Sequence, residues 1–333
     1  MSRVVVVGLG PIGIGAARAV LADPGMTLVG LVDIDPGKVG KPLAELGGGP
    51  AVVKSMQQAA VRGADVAIVT TTSKLDRMAP TLREALGAGL HVVSSCEEMA
   101  WPRYRHPALA DQLDADARRA DRVLLGTGVN PGFVMDLLPV VLSSMVLEVN
   151  GVRVVRRVDA ATRRRPLQQK VGATMDREQF DALKAKNEIG HQGLAESVAL
   201  IAAGLGREAR PGSIQVTLDP VMAEREVDSA LGPIRPGQIC GMHNVGRWLG
   251  GGLTIELDLT MAVGLSEPED VVEIGGPVPL TLRVPGGTPG DTATIAALVN
   301  CARAIPRAMP GLRTMLDIGV CGARAAFVRS VVP

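Results

Sequence analysis

The start of the chain constrains its fold more than any other feature. Residues 4–7 (VVVV) form an unbroken apolar run, as expected of a strand buried on both faces. Gly8-Leu9-Gly10-Pro11-Ile12-Gly13 follows at once, a complete G-x-G-x-x-G, and Ala16, Ala17, Val20 and Leu21 then recur at helical spacing. In such a turn the first glycine permits the bend, the second lets the backbone approach a pyrophosphate, and the third lets the helix pack closely on the strand. Pro11 lacks an N–H and has a preset φ, which suits a first helical turn. The helix start offers free N–H groups and a positive dipole end to an anion. A motif this short needs context. The next strand-like run, residues 27–35, supplies it: Asp33 lies twenty residues after Gly13, where a carboxylate takes ribose hydroxyls and repels a 2′-phosphate. Gly8, Gly10, Pro11, Ile12, Gly13 and Asp33 are therefore expected to bind a nicotinamide dinucleotide, NAD in preference to NADP. Asp35 and Lys38 soften that preference, because a nearby base tolerates the extra phosphate.

Strand-like runs at 64–70, 90–95 and 122–128 then alternate with an amphipathic helix at 75–89 and a polar helix from about Arg103 to Ala120. This order predicts an α/β chain, a Rossmann-type doubly wound parallel sheet with ligands beyond the strands' carboxyl ends. Three loops fall there. Thr70, Thr71 and Thr72 bring hydroxyls suited to ribose or nicotinamide, or to capping the next helix. Glu97 and Glu98 stand back to back beside Met99 and Trp101. Adjacent acids on loops are usually solvated, but apolar neighbours raise a carboxyl pKa and suit it to acid/base work near neutral pH. One of the two is expected to be catalytic, and Trp101 either walls the site or seals the loop. In the third loop, residues 126–133 (GTGVNPGF), Gly126 and Gly128 leave room for a flat ring. Asn130 is a cofactor contact or holds a loop carbonyl, and Phe133 is a pocket wall.

At 333 residues the chain is too long for one core. The dinucleotide domain is expected over residues 1–145, completed by 290–333, where Asp291 or Thr292 caps a last helix that returns to it. Residues 146–289 read as a second α+β domain with a mixed or antiparallel sheet of four strand-like runs, carrying substrate and a dimer contact. Within it Arg163, Arg164, Arg165 and Lys170 suit a substrate carboxylate or a solvated edge. His191 opens a helix, facing the pocket or capping, and His243 sits in a turn or bulge between strands. The balance of 35 basic and 34 acidic residues, net +1, argues against nucleic acid or a membrane surface. No signal peptide or span is read, and Cys96, Cys240, Cys301 and Cys321 are scattered, so neither a metal site nor a disulfide framework is expected and a reducing cytoplasm is. Any aromatic wall must come from Phe133, Phe180, Phe327, Trp101, Trp248 and Tyr104.

The blocks GTGVNPGFVMDLLP, VVRRVDAATRRRPLQQKVGA, GHQGLAES and PGGTPGDTATIAALVNCARAIPRAMPGL together resemble the 2,4-diaminopentanoate dehydrogenase group, which includes native amine dehydrogenases, within the dihydrodipicolinate-reductase-like superfamily. The resemblance spans nearly the whole chain. It implies a homodimeric enzyme that interconverts a primary amine with a ketone and ammonia, using NAD or NADP. It also implies a glutamate acid/base in the loop that here reads CEEMAWP, so on Glu97 or Glu98. The chain departs from the pattern before its last helix, where Thr288-Pro289 stand in place of a frequent histidine. Two alternatives remain at this point. One is another reductase on the same scaffold, of homoserine-dehydrogenase-like or dihydrodipicolinate-reductase-like type. The other is a non-catalytic, cofactor-binding regulatory protein.

Overall fold

The computed structural model describes residues 1–60, 63–161 and 163–324. Phe327 and the last part of the 290–333 segment lie outside the described residues. Two sheets organise the rest. The first has seven strands, all parallel: β1 (Ser2–Val7), β2 (Met26–Val32), β3 (Val52–Val53), β4 (Val66–Val69), β5 (His91–Ser94), β6 (Val123–Gly126) and a late strand, Gly311–Arg313. The order from the late strand inward is Gly311–Arg313, β6, β5, β4, β1, β2, β3. Strand order reverses between β1 and β4, the switch point at which doubly wound sheets open a crevice. Val4, Val5 and Val6 are fully buried because helices cover both faces there. The Gly290–Ala304 helix packs on the Pro11–Ala22 helix, and Leu298, Cys301 and Ala302 join the core beneath β1.

The second sheet has six strands: β7 (Gly151–Asp159), β8 (Gln215–Met222), β9 (Ile239–Gly250), β10 (Leu253–Ala262), β11 (Glu269–Gly275) and β12 (Leu280–Pro285), in the order β12-β11-β7-β10-β9-β8. It is mixed, since β7 and β10 are parallel and the other pairs antiparallel. The late strand Gly311–Arg313 is β13 in chain order. Alternation decides the two faces. Val152, Val154, Ile255, Leu257 and Leu259 point into a core closed by the Leu194–Gly204 helix. Arg153, Glu256 and Glu273 stand on the open face in cross-strand ion pairs.

Several local expectations change. The polar helix at 103–120 is two helices, Pro102–Arg105 and Pro107–Arg119, broken at His106, because the residue before a proline disfavours helix. The run at 271–286 is a hairpin of two strands, β11 and β12. His243 is not in a turn: it lies within β9, 2.8 Å from Asp258 on β10. His191 does not open a helix, which begins at Leu194 after Gly193. The helix expected after residue 290 starts at Gly290 with Pro289 at its cap, not Asp291 or Thr292, and a short helix, Met315–Ile318, follows it. Val134 and Met135 are already buried against the second sheet, so the chain crosses over before residue 145.

Candidate active site

The glycine turn is built as its sequence requires. Gly8 has φ +85°, and a Cβ on Gly13 would collide with the Gly8 carbonyl, so helix and strand close only without side chains there. Around Gly10 nothing lies within 4 Å of where a Cβ would stand, and Gly10 caps the Pro11–Ala22 helix with no side-chain bond to its first N–H groups. That open cradle at a helix start fits a pyrophosphate. Asp33 lies beside it, with Oδ2 accepting from Leu9 N (2.8 Å) and Lys38 Nζ (3.1 Å), and Oδ1 accepting from Asp35 N (3.0 Å). Burial works against its ionisation, but these backbone and lysine contacts outweigh it and hold the carboxyl below the usual range. Thr70 Oγ1 donates to Gly8 O at 2.7 Å and so braces the turn. The Thr71 hydroxyl faces Met78 Sδ, and Thr72 Oγ1 accepts from Lys74 N.

Beyond the strand ends, a cleft of about 330 Å³ separates the two sheets. Ile12, Thr70, Thr71, Thr72, Ser95, Glu97, Thr127 and Asn130 line the side of the first, parallel sheet. Arg156, Val158, Leu259 and Met261, from the inner face of the second sheet, line the other. Arg163, Arg164, Lys170, His191, Asp291 and Thr294 close the ends.

The two adjacent glutamates part company. Glu97 enters the cleft: Oε1 lies 3.4 Å from Lys170 Nζ, and Oε2 is buried without a hydrogen-bond partner. Glu98 turns the other way. Its Oε2 accepts from Leu75 N at 2.7 Å, capping the Leu75–Gly87 helix from outside, and lies 2.9 Å from His106 Nε2. Arg105 reaches Glu98 at 3.6 Å and Glu196 on the Leu194–Gly204 helix at 2.8 Å, so this cluster ties the loop to the second domain. Burial pushes the Glu196 carboxyl up, against the pull of Arg105.

Cations crowd the far end. Arg163 Nη2 and Arg164 Nε lie 2.8 and 3.3 Å from opposite oxygens of Asp291, leaving Nε of Arg163 buried and unpartnered. Gln168 fixes this turn by donating to the carbonyls of Ala160 and Arg163. Arg156, 3 % exposed, pairs with Asp270 at 3.3 Å and donates to Thr288 O at 2.8 Å, while Asp270 accepts from Thr288 N at 2.7 Å. That brace orients the turn into the Gly290–Ala304 helix. His191 is held by its own N–H on Asn244 Oδ1, and its Nε2 is buried without a partner. Burial, with Lys170 and Arg156 nearby, pushes its pKa down to about 3, so the ring is neutral at ordinary pH.

Other expectations are redirected. Trp101 lies away from the cleft, in a surface hollow with Arg103 and Leu316. Phe133 packs between the cores of the two domains rather than walling the pocket. The space beside Gly126 is taken by Met99, so that glycine serves packing, whereas Gly128 lines the cleft, where a Cβ would press on the Pro131 carbonyl. Asn130 lines the cleft with Oδ1 unpartnered. Arg156, Met261 and Thr294 were not singled out from the sequence. Arg156 carried a signal, as a charge at an inward position of an alternating strand. Asp136, which accepts from Gly132 N and Leu137 N at 2.7 Å and from Ser197 Oγ at 3.0 Å, holds the 126–133 loop and carried none.

Known proteins share this plan. The family model of the 2,4-diaminopentanoate dehydrogenase C-terminal domain matches residues 133–332. A 2,4-diaminopentanoate dehydrogenase of Acetoanaerobium sticklandii is 30 % identical over 351 aligned positions, covering 99 % of this chain and 97 % of that protein. An amine dehydrogenase of Streptomyces virginiae is 29 % identical over 178 positions, covering 50 % of this chain and 48 % of that one. The solved amine dehydrogenase from Mycobacterium smegmatis shares the fold over 97 % of each chain, with a TM-score of 0.84 at 24 % identity.

Proposed function

The chain belongs to the 2,4-diaminopentanoate dehydrogenase family, and from that premise we propose an NAD(P)-dependent amine dehydrogenase with Glu97 as acid/base and a substrate that carries both an amine and an anionic group. The observation that carries the reading is Glu97 Oε2, buried at the cleft and without a partner, while Oε1 is taken by Lys170. A buried carboxylate oxygen left free needs a donor, and a substrate ammonium supplies one.

Oxidation of an amine begins with an ammonium, which must lose a proton before its carbon gives up hydride. Glu97 accepts that proton. Bound nicotinamide would supply the hydride acceptor. The iminium left on the substrate then needs water. Glu97 first gives its proton up to solvent, then deprotonates the water as it adds, and passes that proton to the nitrogen while taking the hydroxyl proton, so that the carbinolamine collapses to ketone and ammonia. In reverse, Glu97 holds ammonia against the ketone and protonates the departing hydroxyl. A negative group beside the reacting nitrogen also stabilises the cationic iminium. Arg163 and Arg164 are shared on the single carboxylate of Asp291, so a substrate carboxylate adds the second acceptor such a pair can take. Holding the substrate carbon against a bound nicotinamide would convert a bimolecular encounter into a local step. His191, neutral and with a free Nε2, acts as a hydrogen-bonding group and not as a proton donor of imidazolium type. Asp33 supports a preference for NAD. A homodimer in the cytoplasm completes the proposal; sedimentation as a monomer removes the first part.

The test is NADH formation at alkaline pH from NAD and a panel of 2,4-diaminopentanoate, short alkyl amines and hydroxy acids. Turnover of the diamino acid alone is expected. Equal turnover of simple alkyl amines removes the arginine clamp but keeps the reaction class. Oxidation of hydroxy acids only overturns the class, and dinucleotide binding with no turnover of any amine favours a regulatory role.

A further inference from the structure

A second cavity, of about 520 Å³, lies beside the cleft and takes no part in the reaction as written above. It is bounded by Tyr104 and Arg105, by residues 189–195, and by Val216 and Leu218 of β8. His191 is the residue common to its wall and to that of the cleft. The partition at that point is His191 and Gln192, set between Gly190 and Gly193, whose φ values of +104° and +88° suit glycine. It reaches from one site to the other. A Cβ on Gly193 would stand 3.1 Å from Glu97 Cβ, and one on Gly190 would stand 3.0 Å from Leu218 Cδ2 in the second cavity. His191 Nε2 is buried and free, so the ring offers a hydrogen bond to whatever comes through. Lys170 and Arg156 bring positive charge to the ring from the cleft side, which disfavours a cation there and leaves a neutral amine unopposed.

We propose that the second cavity is an entrance for ammonia and that His191 is the gate it crosses to reach Glu97. The inference rests on the reading of the chain as an amine dehydrogenase. Ammonia is the one small partner of that reaction, and it has to arrive or leave while dinucleotide and substrate fill the cleft. With a single entrance, bound ketone shuts ammonia out, and ammonia has to bind first. With a second entrance, ammonia reaches Glu97 whether or not the ketone is in place.

The experiment is initial-rate kinetics of reductive amination at alkaline pH, with NADH, ammonium chloride and the ketone formed from the amine that the wild-type chain oxidises best. Ketone and ammonia are varied together for wild type and Val216→Trp. Val216 is 47 % exposed on the edge strand β8, so an indole there fills the cavity without entering a core. Val216→Trp is expected to raise the KM for ammonia by about fivefold or more, and to bring in inhibition by ketone that ammonia relieves, with NADH binding unchanged. Pro211→Trp, at an exposed turn that lines the same cavity, gives the same test should Val216→Trp not fold. A folded variant whose KM for ammonia and response to ketone match wild type overturns the proposal alone, as does a fall in kcat with both unmoved. Ketone inhibition of that kind already present in wild type overturns it too. Wild-type chain that oxidises no amine overturns the amine dehydrogenase reading and this inference with it.

Discussion

Glu97 and Glu98 share a charge, a loop and a neighbour, and the backbone sends them to opposite sides. If Glu97 moves the proton, Glu97→Gln lowers kcat by roughly 10²- to 10⁴-fold while NAD+ still binds, a split that steady-state kinetics with a binding titration reads directly. Glu98→Ala acts differently. It leaves the buried Leu75 N without its acceptor, at a cost of about 1–3 kcal/mol measured by urea denaturation. His191 makes the acid limb of stability. Its pKa is about 3 folded against 6.5 in the open chain, so the unfolded state binds the proton first as pH falls. Its contribution is intact above pH 6.5 and is lost progressively down to pH 3. His191→Gln should flatten the drop in denaturation midpoint between those limits; an equally steep drop in the variant would exclude this source. Among the cysteines, Cys321 is brought down to about 7 by its contact with Cys301, while burial lifts Cys96 to about 12. Iodoacetamide at neutral pH is therefore expected to label Cys321 well before Cys96, as peptide mapping would show.

The elements around the cleft are positioned by polar braces as much as by apolar packing. Arg156 and Asp270 are both nearly inaccessible, and together they hold the Thr288 backbone that leads into the Gly290–Ala304 helix. Asp270→Ala strands a buried guanidinium, so a loss of about 3–5 kcal/mol is expected in chemical denaturation. This brace was not legible in the chain, since Arg156 and Asp270 lie on β7 and β11 and meet only through the register of those strands. The strands themselves were legible wherever burial is two-sided, as at residues 4–7 and 66–69. Periodicity failed where a turn inside an apolar run makes two strands from one, as between β11 and β12. Glu98 shows the same limit: its role as a cap belongs to a helix that starts 23 residues upstream.

The whole molecule joins its first sheet from both ends of the chain. β13 pairs with β6, and Leu312 and Met315 bury against the first domain's cores. Truncation after residue 310 uncovers the edge of β6 and these apolar surfaces, and loss of cooperative thermal unfolding is expected by circular dichroism. The two domains meet through Phe133, which packs in both cores, and through the Glu98–Arg105–Glu196 cluster. No helix among the described residues is long and apolar enough to cross a membrane.

The sequence by itself determined the local physics: a buried strand, a glycine turn with an open helix start, an acid at the end of the next strand, the alternation that makes the sheet parallel, and a carboxylate pair beyond a strand's carboxyl end. These follow from steric and periodic rules that act over a few residues. Only the tertiary structure decided which glutamate enters the cleft, which cations share Asp291, and that Trp101 and Phe133 pack away from the cleft. Those outcomes depend on burial and on partners far apart in the chain. A side chain's direction at a loop is decided by which distant donor, such as Leu75 N or Lys170 Nζ, folding brings within reach.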